Sequence, residues 1–87
     1  MKRVRFSIEA PGAKNVLLAG DFTEWEAHAR KMRRVSPRSG TFTATVTLPP
    51  GTHEYKFVLD GEWVADPKAE SVSNPFGTQN SVRRVEG

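Results

Sequence analysis

Hydrophobic positions in this chain recur every second residue far more often than every third or fourth. Val4, Phe6 and Ile8 alternate with Arg3, Arg5 and Ser7, the period-2 signature of a strand with one buried face. From Thr41 to Leu48 the alternation is unbroken, with Phe42, Ala44, Val46 and Leu48 on one side and four threonines on the other. β-branched residues on a solvent face suit a pleated strand. "VLLAG" at residues 16–20 is a nearly continuous apolar run, as expected of a strand covered on both faces. "PGAKN" and "PPGT" read as turns, "GDFTEWEAH" as a loop in which Phe22 plugs the core, and Met32 as the centre of a third strand. His53 to Leu59, Glu62 to Asp66 and a final strand in "NSVRRVEG" complete the series. No window keeps a helical period long enough for a helix.

About seven short strands punctuated by Gly and Pro predict an all-β fold, an immunoglobulin-like antiparallel β-sandwich. The 87 residues fit a single domain spanning 1–87. A chain of that size buries about two-thirds of its unfolded surface, enough for a core but not for a deep catalytic cavity.

The sharpest local signal is "FVLDGEWVADP". Asp60-Gly61 between two β-rich runs predicts a two-residue type I′ hairpin. It pairs Leu59 with Glu62, Val58 with Trp63, Phe57 with Val64, Lys56 with Ala65 and Tyr55 with Asp66. Register then fixes the faces. Tyr55, Phe57, Leu59 and Val64 point to the core, whereas Glu54, Lys56, Val58, Trp63 and Ala65 point away from it. Trp63 thus lies outward with Lys56 diagonal to it, roughly 7–8 Å away between backbone positions. Trp25 lies in a polar loop and is expected to be partly exposed.

From residue type alone, each indole could equally be a structural anchor. Two outward indoles with flanking donors also match a pyranose ring, which has an apolar C–H face and a rim of hydroxyls. Burying about 100 Å² of one indole at about 25 cal/mol per Å² gives about 2–3 kcal/mol before ordering costs.

"VLLAGDFTEW", "LPPGTHEYKFVLDGEWVADP" and "NPFGTQNSV" together resemble the glycogen- and starch-binding module of carbohydrate-binding family 48. That module occurs in AMP-activated protein kinase β subunits and at the N-termini of isoamylases and branching enzymes. The resemblance runs from about Val4 to Val85 and implies an early-set form of the sandwich. It further implies non-catalytic binding of α-1,4-linked glucan (glycogen, starch or maltodextrin), targeting or regulating an associated enzyme. Glucose would stack on Trp25 and Trp63, with Lys56, Thr78 and Asn80 as polar partners and Gly77 shaping their loop. Phe76 stands where the kinase members carry a leucine that inserts against the sugar. Some isoamylase-type members lack the tryptophans and serve as docking domains. A catalytic or regulatory protein partner is therefore the second expectation, with or without sugar binding.

Composition removes other classes. With no cysteine, no disulfide scaffold, zinc knuckle or thiol nucleophile is expected, and a cytoplasmic home fits. No apolar run reaches membrane-spanning or signal-peptide length, so no membrane partner is expected. Asp21, Glu24, Glu62 and Asp66 sit in turns without the flanked cleft of a glycosidase, and His28 and His53 read as exposed structural residues. The chain is therefore expected to be no enzyme and to need no cofactor or metal. Net charge is +3, but Arg30, Lys31, Arg33, Arg34 and Arg38 cluster. That cluster is the basis of a further reading, binding of nucleic acid or of an acidic partner. With no aromatics interleaved, a strand edge guarded by charge is the expected role, with no nucleic-acid partner.

Overall fold

The computed structural model describes residues Met1–Gly87. In chain order the strands are β1 (Lys2–Glu9), β2 (Val16–Gly20), β3 (Arg30–Lys31), β4 (Arg33–Arg34), β5 (Thr41–Leu48), β6 (Gly51–Leu59), β7 (Glu62–Val64), β8 (Glu70–Ser73) and β9 (Gln79–Val85). Two short 3₁₀ turns, Asp21–Thr23 and Trp25–His28, follow β2. One sheet has the order β1-β5-β4, and the other β3-β2-β6-β9-β8 with β7 also on β6. All pairs are antiparallel. This is the antiparallel β-sandwich that the alternation implies, in the early-set form that the resemblance implies.

The core lies between the sheets, where the alternating strands turn their apolar faces inward. Phe6 and Tyr55 meet edge to face with centroids 4.8 Å apart, and Tyr55 meets Phe57 likewise at 5.7 Å. All three rings are fully buried. Phe22 reaches in from the first 3₁₀ turn and stacks on Phe6 at 5.7 Å, as expected of that residue. Each fully buried side chain of this size contributes roughly 1.5–3 kcal/mol by area.

The third strand is two half-strands. β3 pairs with β2 and β4 with β5, while buried Met32 between them marks the point where the chain passes from one sheet to the other. Both halves are sheet edges carrying exposed cations, the arrangement that discourages edge-to-edge association. β8 has no counterpart among the predicted strands. Its four residues are all exposed, so no apolar period marks it.

The hairpin register is as predicted for Leu59–Glu62, Val58–Trp63 and Phe57–Val64, with Asp60 at φ 50° and Gly61 at φ 89°. The two further pairs do not form. β9 takes over that edge of β6, pairing Tyr55 with Ser81. Asp66 is held instead by its side chain, which accepts a 2.7 Å bond from Tyr55 Oη, and by its own N–H, which donates to Ser81 Oγ at 2.6 Å. His28 is exposed, but His53 is not as expected: its side chain is only 13% accessible, with Nε2 2.9 Å from the Pro49 carbonyl.

Candidate functional site: an aromatic groove on the larger sheet

The outer face of β6 carries Glu54, Lys56 and Val58, and β7 adds Trp63 opposite Val58. β9 contributes Asn80 to the same face. A groove of about 610 Å³ opens there, lined by all six sequence-predicted site residues, Trp25, Lys56, Trp63, Phe76, Thr78 and Asn80. The volume falls within the range of small-molecule sites. Asp21, Glu26, Glu54, Asn74 and Pro75 complete the lining.

Each aromatic reaches the groove by a different route. Trp63 stands on a strand, 40% exposed, its position fixed by the hairpin register. Trp25 is half-buried at the start of the second 3₁₀ turn, where Glu24 and Trp25 both adopt left-handed φ, 53° and 56°. Two consecutive non-glycine residues in that region are strained by about 1–3 kcal/mol each. Thr23 stabilises the arrangement. Its buried Oγ1 accepts from Gly20 N–H at 2.9 Å and shares its proton between the carbonyls of Gly20 at 3.0 Å and Trp25 at 2.9 Å. Strain of this kind concentrates where a side chain must be aimed. Phe76, at the tip of the loop between β8 and β9, is 88% exposed, an apolar ring held in water beside the groove.

The polar wall is one hydrogen-bonded network. Lys56 Nζ donates to Thr78 Oγ1 at 3.0 Å. Asn74 Nδ2 donates to Thr78 Oγ1 at 2.7 Å and to Asn80 Oδ1 at 2.9 Å. Asn74 Oδ1 accepts the backbone N–H groups of Phe76 and Thr78 at 3.0 and 3.1 Å. Asn80, only 7% exposed, donates to Glu54 Oε1 at 3.0 Å. Gly77, at φ 82°, permits the tight return of the loop. Lys56 and Thr78 are therefore the exposed ends of the network, and Asn80 is its floor.

Asn74 and Glu54 escaped the sequence reading as site residues. Asn74 precedes Pro75, an Asx-turn signal that marks the loop without disclosing that its amide organises the wall. Glu54 fell on the right face but carried no motif. Asp21, read as a turn residue, also joins the site: its Oδ2 accepts the Glu54 N–H at 3.0 Å, linking the Trp25 turn to β6. The lining holds three carboxylates, Asp21, Glu26 and Glu54, against one ammonium, Lys56.

The family described as the glycogen recognition site of AMP-activated protein kinase matches residues 3–87. The chain belongs to that family. The module is 35% identical over 74 residues to the beta-1 subunit of 5'-AMP-activated protein kinase of Sus scrofa, covering 85% of this chain and 57% of that one. Against the Homo sapiens beta-2 subunit the identity is again 35% over 74 residues, covering 26% of that protein. The module thus spans roughly a quarter to a half of the length of these relatives. Among solved structures it superimposes on a putative alpha amylase from Salmonella typhimurium with a TM-score of 0.71 and 29% identity, over 95% of this chain and 13% of that one. The family is one of carbohydrate-binding modules, and the sandwich described above is its fold.

Proposed function

We propose that the module binds α-1,4-linked glucan in the aromatic groove without cleaving it. In relatives of this family it is part of a longer polypeptide, and its role would be to hold an associated enzyme or regulatory protein on glycogen, starch or maltodextrin. The observation that carries this reading is the convergence of Trp25, Trp63 and exposed Phe76 on one groove beside a row of hydrogen-bonding groups. Glucose rings would stack on the two indoles. Lys56 Nζ and Thr78 Oγ1 would meet hydroxyls at the rim, Asn80 would support them from below, and Phe76 would close over the chain.

Two of the three groove carboxylates already hold structure, Asp21 for the Glu54 N–H and Glu54 for Asn80, which leaves Glu26 without a second free acid to pair with. Neither is free to act as one of the paired acids that glycosidic hydrolysis requires. Two stacked rings and a few hydrogen bonds, less ordering costs, correspond to affinity of about micromolar to millimolar.

The test is a ¹⁵N NMR titration of the chain with maltoheptaose, with cellohexaose as control. Saturable shifts centred on Trp25, Lys56, Trp63, Phe76, Thr78 and Asn80, with maltoheptaose only, are expected. No response to maltoheptaose, or shifts elsewhere, would refute the reading.

A further inference from the structure

The two main grooves of the molecule carry opposite charge. The glucan groove on the larger sheet is net acidic in its lining. The smaller sheet contains a single carboxylate in its three strands, Glu9, which pairs with Thr41 at the far end of β1. Its outer face carries Arg3 and Arg5 opposite Thr47 and Thr45, with Arg33 opposite Thr43 on the neighbouring edge. A second groove of about 550 Å³ lies here, lined by Arg3, Arg5, Arg30, Lys31, Arg33 and Arg34 and by no acid.

None of those six cations forms an ion pair, the three ion pairs of the molecule lying elsewhere. Arg34 is committed to the fold through the carbonyls of Ala13 and Ser39 and the face of Phe42. Arg5 Nε donates to Thr43 Oγ1 at 2.9 Å, leaving its terminal nitrogens free. Arg3, Arg30, Lys31 and Arg33 make no side-chain hydrogen bond. β1 and β4 are the two edges of the smaller sheet, so Arg3, Arg5 and Arg33 also guard those edges, but six cations sharing one groove with no acid exceed what edge guarding needs. Like charges this dense repel one another, so an anionic occupant stabilises them.

We infer that this face is a docking surface for an acidic polypeptide segment of a partner protein. Five of the six cations are arginines, whose planar forks suit carboxylates two at a time. Arg3 and Arg5 are two residues apart on one strand, about 7 Å, which is also the spacing of same-side carboxylates on an extended acidic segment. No aromatic ring lines this groove, so it lacks the stacking platform of single-stranded nucleic-acid sites. Its apolar lining is limited to Val35 and Ala44, too little for the apolar core of a permanent interface, so the contact is electrostatic, fast and salt-sensitive. The two grooves share no lining residue, so the module can hold glucan and an acidic partner at once.

The experiment titrates the ¹⁵N-labelled chain with a poly-glutamate dodecamer at about 50 and about 300 mM NaCl, and in parallel with an oligothymidylate dodecamer. Expected are shifts at Arg3, Arg5, Arg33, Thr43 and Thr45 with poly-glutamate, weakened about tenfold or more by salt. The same shifts should appear with the glucan groove filled by maltoheptaose. Arg3→Glu/Arg33→Glu, which breaks no hydrogen bond or ion pair, should abolish them and leave the fold's amide spectrum intact. If that variant fails to fold, Arg30→Gln/Lys31→Gln provides the same comparison. Absence of shifts on this face, or binding unchanged by the folded variant, overturns the inference. Tighter binding of the oligothymidylate than of poly-glutamate also overturns it, in favour of a nucleic acid.

Discussion

Lys56 Nζ donates to Thr78 Oγ1 across 3.0 Å, joining the central strand of the larger sheet to the loop that presents Phe76. The donor and acceptor are separated by 22 positions in sequence, and both ends remain accessible at the groove. A bond between accessible groups contributes little to folding, because water replaces it on loss. Its effect is on the ligand, since it fixes where the ammonium and hydroxyl stand before a sugar arrives. Lys56→Ala and Thr78→Val should each lower maltoheptaose affinity about tenfold while changing stability by about 0.5 kcal/mol or less. Calorimetric titration of the double variant should show a loss smaller than the sum of the single losses. Strict additivity would mean the two groups act independently.

The indoles separate function from stability more sharply. Trp63 is 40% exposed and lies outside the core cluster, so Trp63→Ala leaves the core packing intact. Affinity for maltoheptaose should fall by about 2 kcal/mol or more, while unfolding free energy changes by about 1 kcal/mol or less. Trp25→Ala should match it in affinity, although the half-buried ring at φ 56° makes a somewhat larger stability change. Urea denaturation and retention on an amylose gel measure both quantities. A variant that unfolds identifies its tryptophan as a core residue.

The strands β1, β5 and β6 were legible because one face of each is buried, and β2 because both of its faces are, and in each the burial is written in residue type. Trp63's outward placement was legible because Asp-Gly specifies the turn and the turn specifies the register. β8 was not, since an edge strand exposed on every residue leaves no apolar period. The sheet switch at Met32 was invisible for a related reason: two half-strands on different sheets show no alternation as a pair. In the groove, motif residues could be named, but Asn74 and Glu54 could not, because their role lies in bonds to distant backbone and side-chain atoms. Asp60 shows the same limit. It reads as a turn residue, yet its carboxylate also accepts the N–H groups of Lys14 and Asn15 at 2.7–3.1 Å.

That second role of Asp60 gives a stability prediction. Asp60→Ala leaves two backbone donors of the β1–β2 loop without their acceptor and places alanine at φ 50°. The cost should be about 1–3 kcal/mol. Asp60→Asn tolerates the left-handed backbone and retains one acceptor oxygen, so it should lose less than half as much. Equal losses in urea denaturation would place the effect in the carboxylate charge instead.

Tyr55 sets an alkaline limit on the fold. Burial, then the hydrogen bond to the Asp66 carboxylate and its negative charge, raise the phenol well above its ordinary 10.0, with Arg83 acting weakly in the opposite sense. The folded phenol therefore keeps its proton where the unfolded one loses it. This contribution is complete below about pH 10 and is lost as pH climbs from there toward the folded value. Tyr55→Phe should be less stable near neutrality by about 1 kcal/mol, having lost the bond to Asp66. Between about pH 9 and about pH 11 its stability should decline less steeply than that of the parent chain. Parallel curves would show that other groups, not Tyr55, set the alkaline limit.

Gly20 couples the fold to the groove most directly. A Cβ there would lie 2.7 Å from the Glu54 carbonyl oxygen and 2.7 Å from Phe22 Cε1. The first contact is backbone in the central strand, where Gly20 pairs with Tyr55, and the second is the ring that closes the core. Neither can move without opening the sheet or displacing Phe22. Gly20→Ala should therefore cost about 1–3 kcal/mol by overpacking. The Gly20 N–H also holds Thr23 Oγ1, which keeps the left-handed turn that presents Trp25. Glucan affinity should fall with stability in this variant, whereas in the tryptophan variants it falls largely alone. Gly12→Ala is the matched control, because a Cβ there meets nothing within 4 Å; both its stability and its affinity should stay near those of the parent. If Gly20→Ala is destabilised but still binds maltoheptaose at parental affinity, Trp25 is positioned without Gly20 and Thr23.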